Sequence, residues 1–182
     1  MHQEPEYIDL QVNGYRGVDF SSENLSVEKI RFATEELVKS GTVACCPTII
    51  SSSLEVYTNN IALFSKAIRE DLGNNLLGIH LEGPFISKKN GARGCHPLKY
   101  IRAPDVDLMK QWIDISEGNI SIVTLAPELD GSLDLISFLV SKNIVVSIGH
   151  HLGNTNDIEA AVKSGATAST HLGNGIPANL LR

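Results

Sequence analysis

Six short apolar segments rich in β-branched residues recur along the chain, and an amphipathic stretch separates each from the next. These segments predict strands at 8–13, 43–50, 76–82, 120–126, 144–150 and 166–171. The amphipathic stretches predict helices at 27–40, 54–71, 105–117, 132–142 and 156–164, with Ser26 and Ser53 as the caps of the first two. Continuously apolar strands joined by single helices are typical of a parallel sheet that is covered on its faces.

Polar residues at strand ends distinguish between two parallel-sheet folds. Glu82, His150 and His171 fall at the carboxyl ends of three different predicted strands. A (β/α) barrel gathers such ends around one mouth, where its chemistry takes place. A doubly wound sheet would more naturally carry a glycine-rich phosphate turn after its first strand, and the "NGYRG" found there has no such pattern. We therefore predict an α/β fold of the TIM-barrel type.

The same three residues predict a metal site. Side chains alternate along a strand, so Glu82 shares a face with His80, His150 with Ile148, and His171 with Ser169. If these faces point into the barrel, one carboxylate and two imidazoles converge, which suits a divalent ion with an open position for water. Such an ion makes hydroxide available at neutral pH. The alternative is three unrelated polar residues at strand ends, and His80 is expected to be a core or supporting residue.

Strand one indicates how many ions to expect. Its inward positions are Gln11 and Asn13, and neutral amides are poor ligands for zinc-type ions. We expect one divalent ion, Zn²⁺ first, with Fe²⁺ or Mn²⁺ as alternatives because the ligand set is of borderline softness.

Charge and cysteine usage limit the partners and the compartment. The net charge of −6 argues against nucleic acid or anionic membranes as partners. No apolar run approaches the ~20 residues of a membrane span, and "MHQEPEY" lacks the features of a signal peptide. Three cysteines, of which Cys45 and Cys46 are adjacent, form a poor disulfide framework. A cytoplasmic protein with reduced thiols is expected.

Five motifs in a fixed order carry a family resemblance. "IDLQVNG", "HLEGPF", "TLAPE", "SIGH" and "THLGNG" resemble the N-acetylglucosamine-6-phosphate deacetylases of the amidohydrolase superfamily, over about Tyr7 to Arg182. The resemblance implies metal-dependent removal of the acetyl group from N-acetylglucosamine 6-phosphate, which gives glucosamine 6-phosphate and acetate. It also implies an amino-sugar phosphate as the small-molecule partner and a homodimer in the complete enzyme.

The resemblance assigns roles to individual positions. It implies that Glu82, His150 and His171 are the metal ligands and that His96 contacts the substrate and polarises the amide carbonyl. The remaining implied substrate contacts are Cys95, Asn174, Gly175 and the phosphate-binding Arg182.

Several parts of the family pattern are not found in these 182 residues. The family has eight strands, a small β-sandwich domain and an acid/base aspartate that ends strand eight, whereas about six βα units are predicted here. Residues 1–182 are therefore expected to form a partial amidohydrolase barrel domain. Two alternatives to an incomplete deacetylase stay open: a non-catalytic protein that binds metal or amino-sugar phosphate, and an amidohydrolase that acts on a different amide.

Overall fold

Strands and helices alternate along the chain. The computed structural model describes residues 6–70 and 75–174. The strands are β1 (Tyr7–Val12), β2 (Gly14–Tyr15), β3 (Val18–Asp19), β4 (Thr42–Ile50), β5 (Ile79–Glu82), β6 (Ile120–Leu125), β7 (Val145–Ile148) and β8 (Ala168–Ser169). The α-helices are α1 (Val27–Lys39), α2 (Leu54–Arg69), α3 (Val106–Ile115), α4 (Ser132–Ser141) and α5 (Thr155–Lys163), and a single 3₁₀ turn covers Leu98–Tyr100.

Six strands form one sheet whose order follows the chain: β1, β4, β5, β6, β7, β8. The pairs β1–β4, β6–β7 and β7–β8 are parallel. In β7–β8, Ser147 lies opposite Ala168 and Ile148 opposite Ser169. All six predicted strands and all five predicted helices are present within a few residues of their predicted ends. Consecutive order in a parallel sheet is what successive βα units of a barrel produce.

A small hairpin after β1 was not predicted. Strands β2 and β3 pair antiparallel, with Gly14 opposite Asp19 and Tyr15 opposite Val18. Each strand has two residues. They lie in "GYRGVD", a glycine-containing polar stretch with no run of apolar or β-branched residues, so the pattern gave no strand there.

Side-chain caps fix where the helices begin. Ser26 accepts a hydrogen bond from the backbone N–H of Lys29 at α1, and Ser53 accepts one from Val56 at α2, as their sequence positions predict. Helix α5 starts with a capping box in which Asn154 and Asp157 satisfy each other's backbone N–H groups.

The chain divides into two units. The first comprises Met1–Ile49, Ser53–His80 and Gln111–Ser121. Its core includes two aromatic pairs: Phe20 meets Phe64 edge-on at 5.2 Å, and Tyr57 stacks on Trp112 at 4.4 Å between ring centroids. His80 is buried, as predicted, and its Nδ1 lies 2.9 Å from the carbonyl oxygen of Leu10.

The second unit comprises Ile50–Ser52, Leu81–Lys110 and Ile122–Arg182. Its core is formed by fully buried aliphatic and aromatic side chains, among them Leu81, Phe85, Ile86, Val123, Leu125, Leu135, Leu139 and Val146. Three buried hydroxyls link its strands, since Oγ1 of Thr170 lies 2.8 Å from Oγ1 of Thr124 and 2.7 Å from Oγ of Ser147.

None of the helices in the described ranges has the length and apolarity needed to cross a bilayer. The cysteines are free thiols, and burial raises the pKa of Cys45 to about 12 and that of Cys46 to about 11.

Candidate metal centre

One carboxylate and two imidazoles meet in the second unit. Glu82 ends β5 and is 2% exposed. Its Oε1 lies 2.9 Å from Nε2 of His150 and 2.9 Å from Nε2 of His171. The chain separations are 68 and 89 residues, so the fold and not local sequence makes these contacts. Burial of this carboxylate is compensated by two N–H donors.

The two histidines are held by turns rather than by strands. Strand β7 ends at Ile148 and β8 at Ser169, so His150 and His171 both lie two residues beyond a strand end. Both have backbone in the left-handed region, with φ of 52° and 55°. The prediction that both belong to strands and follow strand alternation was therefore wrong, although the predicted convergence with Glu82 is correct. A left-handed conformation costs a non-glycine residue energy, and Arg16, Glu117 and Asn143 also adopt it in turns, so the role of His150 and His171 is argued from their contacts with Glu82.

Backbone contacts fix His150 in place. Its carbonyl accepts a hydrogen bond from the N–H of Ser87 at 2.9 Å, and its Nδ1 lies 2.8 Å from the carbonyl oxygen of Ala92. Because a carbonyl oxygen only accepts, Nδ1 of His150 must carry a proton. A histidine that donates from Nδ1 in this way offers Nε2 to a metal, the usual arrangement behind metal-binding imidazoles.

The three side chains fit a divalent ion. One ligand atom from each of Glu82, His150 and His171 lies within 4.8 Å of the other two. Two imidazole nitrogens and one carboxylate oxygen are a common protein ligand set for zinc and its neighbours, with further positions left for water or substrate. The set also explains why a buried carboxylate is retained at this position.

The charges of the site are coupled. Burial alone would raise the pKa of Glu82, but the hydrogen bond from His150 and the neighbouring imidazoles lower it to about 2. Burial alone would lower the pKa of His150, but the hydrogen bonds to Glu82 and Ala92 raise it above its usual value. In the metal-free protein, Glu82 is therefore a carboxylate and His150 favours its protonated form.

This pair predicts how the metal-free protein responds to pH. Glu82, with its lowered pKa, stabilises the fold above about pH 4.5, and this stabilisation is lost as the pH falls towards 2. His150, with its raised pKa, stabilises the fold below about 6.5, and this stabilisation is lost as the pH rises through its folded pKa. We expect the difference in free energy of unfolding between the wild type and Glu82→Gln to be largest between about pH 4.5 and 6.5 in chelator-treated protein, measured by urea denaturation. This difference isolates the pair from His96, whose lowered pKa favours the folded state at higher pH. A difference that does not change with pH would contradict this assignment.

His96 lies beside the group formed by Glu82, His150 and His171. It is 1% exposed, and its ring centroid is 4.4 Å from that of His150. Its Nδ1 accepts a hydrogen bond from the backbone N–H of Ser51, and its carbonyl accepts one from Arg93. Burial, followed by the charge of His150, lowers the pKa of His96 to about 4. His96 is therefore an uncharged imidazole at neutral pH, close to the predicted metal ligands.

The other predicted substrate contacts receive less support. Cys95 is exposed, and no hydrogen bond of its thiol is found among the described residues. Asn174 is exposed and its N–H donates to the carbonyl of His171 at 2.7 Å, which makes it part of the turn that holds this histidine. Gly175 and Arg182 lie outside the described residues.

Three contributors to the site were missed by sequence reasoning. They are Ser51, the carbonyl of Ala92 and Gly94, where an added Cβ would lie 3.2 Å from Cε1 of His150. Ser51 directly follows β4, so its place at a strand end was a signal that could have been used. A backbone carbonyl leaves no mark in the sequence.

Comparison with known proteins supports the family resemblance. The chain is 38% identical over 175 residues to the N-acetylglucosamine-6-phosphate deacetylase of Bos taurus and 40% identical over 181 residues to that of Caenorhabditis elegans. Each match covers 94% of this chain and 42% of the relative, so the chain spans less than half the length of these relatives. No protein-family profile matches.

Among solved structures, the crystal structure of N-acetyl-D-glucosamine-6-phosphate deacetylase from Mycobacterium smegmatis superposes with a TM-score of 0.85 at 29% identity. It is matched over 94% of this chain and 43% of its own length. The predicted resemblance and the predicted partial TIM-type barrel are both confirmed. The relatives are deacetylases, which are hydrolases of amide bonds.

Proposed function

We propose that residues 1–182 form a partial barrel domain that carries the metal-binding part of an N-acetylglucosamine-6-phosphate deacetylase. The observation that supports this most is the position of Glu82 Oε1, at 2.9 Å from Nε2 of both His150 and His171. The identity of 38–40% to deacetylases over 94% of the chain supplies the substrate class. A cytoplasmic location and a homodimer of the complete enzyme remain predictions.

Glu82, His150 and His171 would hold one divalent ion, and Zn²⁺ is the ion we propose. When bound, the ion would supply the Lewis acidity that hydrolysis of an amide needs. The protonated Nδ1 of His150 donates to the Ala92 carbonyl, which would leave Nε2 available as the ligand atom. Glu82 would contribute negative charge that partly balances the ion.

His96 would act on the acetamide carbonyl of the substrate. Its lowered pKa of about 4 leaves a neutral ring at pH 7, which can donate one hydrogen bond without carrying a charge into the buried site. A donor aimed at the carbonyl oxygen stabilises the negative charge that develops there when the carbonyl is attacked. Cys95, Asn174, Gly175 and Arg182 are proposed to line the sugar and phosphate pocket.

A general acid for the departing amine is proposed to come from the part of the relatives that this chain does not match. The family resemblance implies an aspartate that ends an eighth strand for this role, and the described residues of this chain form six strands of the sheet. In this proposal, residues of this chain would bind the metal and polarise the carbonyl. The general acid that protonates the amine would lie in the part of the relatives that this chain does not match.

Substitution of His96 tests the proposed role in the complete protein. His96→Ala should lower kcat for N-acetylglucosamine 6-phosphate by about 10²–10³-fold, the usual effect of losing one donor to a developing oxyanion. Metal content should stay unchanged, because His96 is not among the three proposed ligands. Acetate release and elemental analysis measure the two quantities. His151→Ala is the matched control, since the neighbouring imidazole of His151 has no proposed role. Unchanged activity in His96→Ala would remove His96 from the mechanism.

A second candidate function is binding of metal or amino-sugar phosphate without hydrolysis. The Glu82, His150 and His171 group that would hold the ion serves this function equally well. Zinc binding without acetate release, in a protein that includes every segment of the parent gene, would favour this alternative.

A further inference from the structure

Ser51 makes the contacts that fix the orientation of the His96 ring. It follows β4 directly and is 2% exposed. Its backbone N–H points at Nδ1 of His96 with an N to N distance of 3.3 Å, and its Oγ lies 2.9 Å from the same nitrogen. The two residues are 45 positions apart, so this contact is made by the fold.

The backbone contact decides where the proton of His96 resides. An amide N–H can only donate, so a hydrogen on Nδ1 would face the hydrogen of Ser51. Nδ1 must therefore accept, and in the uncharged ring the single hydrogen is then on Nε2. With Nδ1 accepting, the Ser51 hydroxyl donates to it as well. The backbone N–H selects this tautomer, and the hydroxyl, which can donate or accept, adds a second hydrogen bond to it.

The neighbouring glycine leaves room for this arrangement. Gly83 belongs to the "HLEGPF" motif and has φ of +82°, a region that favours glycine. A Cβ at this position would lie 2.5 Å from Oγ of Ser51 and 3.6 Å from Nδ1 of His96. Any larger residue would therefore push the Ser51 hydroxyl off the His96 ring.

We propose that Ser51 is a positioning residue that holds His96 as the Nε2–H tautomer and so directs its only N–H at the substrate carbonyl. The proposal rests on the proposed role of His96 in deacetylation. It deepens that role, because a ring with the opposite tautomer would present a lone pair to the carbonyl oxygen and could not polarise it.

The tautomer can be measured without any turnover. In the zinc-loaded chain labelled with ¹⁵N-histidine, we expect Nδ1 of His96 to show the chemical shift of an unprotonated nitrogen and Nε2 that of a protonated one. The resonances are assigned by their loss in His96→Gln. In Ser51→Ala, where the hydroxyl is gone and the backbone N–H remains, Nδ1 should stay unprotonated and its resonance should move downfield, because this nitrogen has lost one of its two hydrogen-bond donors. Ser51→Thr, which keeps the hydroxyl, should restore the wild-type spectrum, and Ser52→Ala is the matched control.

Activity of the complete protein supplies the second readout. Loss of one net hydrogen bond corresponds to about a 3- to 10-fold change in rate. The kcat of Ser51→Ala should therefore fall by that factor while its KM stays unchanged. Ser51→Thr should have a kcat close to that of the wild type. An Nδ1–H tautomer in the wild type, or a Ser51→Ala variant with unchanged spectrum and unchanged kcat, would overturn the proposal. If the complete protein lacks deacetylase activity while the spectra agree with expectation, the proposed function fails and the positioning of His96 by Ser51 stands.

Discussion

Replacement of Glu82 by glutamine should reduce metal binding by more than about 100-fold. Loss of a residue that merely supports a ligand already costs about 10- to 100-fold in affinity, and Glu82 is proposed to supply both a ligand atom and the only charge of the set. Glutamine keeps the size of the side chain but removes the charge. Isothermal titration with Zn²⁺ should give about one ion per wild-type chain and no measurable tight site in the variant.

A surface glutamate provides the control for this experiment. Glu117 pairs with Arg69, and its side chain is 56% exposed. Glu117→Gln removes the same charge and should bind zinc as the wild type does. Retained tight binding in Glu82→Gln would exclude Glu82 as a ligand, and a second tight ion in the wild type would contradict the expectation drawn from Gln11 and Asn13.

A polypeptide of residues 1–182 should associate with itself and hydrolyse N-acetylglucosamine 6-phosphate poorly. Within residues 6–70 and 75–174, strand β1 ends the sheet order and pairs with β4. Its Ile8 and Leu10 side chains are 62% and 55% exposed, and exposed apolar edge strands promote pairing with other chains. Burial of two such side chains is worth about 1.5–3 kcal/mol each. Ile8→Lys/Leu10→Lys should therefore weaken association by at least about 100-fold in analytical ultracentrifugation.

Two observations decide whether this interpretation of β1 is right. Val38→Lys/Val162→Lys replaces exposed apolar residues on helices α1 and α5 and should leave association unchanged. Acetate release should be about 10²–10⁴-fold below that of the complete protein, the range associated with loss of a general acid. A monomer that turns over substrate at the rate of the complete protein would show that this chain contains its own general acid.

Sequence periodicity predicted the fold well because the sheet is built from long local patterns. The helix caps Ser26 and Ser53 were predicted for the same reason, since a cap and its recipient N–H are three residues apart. The two-residue strand β8 was predicted because it lies within the longer run "ATASTH", whereas the equally short β2 and β3 lie in "GYRGVD", which has no such run. The residues around a short strand thus decide whether the sequence predicts it.

The site was predictable only as a set of residue types at strand ends. Glu82 was expected at the end of β5 and lies there. The left-handed turns that hold His150 and His171 were not expected. The residue types in "SIGH" and "STH" do not indicate whether the histidine is the last residue of the strand or lies in the turn after it. The contact of Ser51 with His96 spans 45 residues and depends on tertiary packing, which periodicity does not encode.

The separation of the proposed ligands along the chain has a consequence for the order of folding. Glu82 and His171 are 89 residues apart, and contacts of such range form late because a large loop must close before they are gained. The three proposed ligands come together only after the turn that follows β8 has formed and packed near the end of β5. Zinc is thus expected to slow unfolding of the second unit while leaving its refolding rate nearly unchanged. Stopped-flow experiments with and without chelator would separate the two rates.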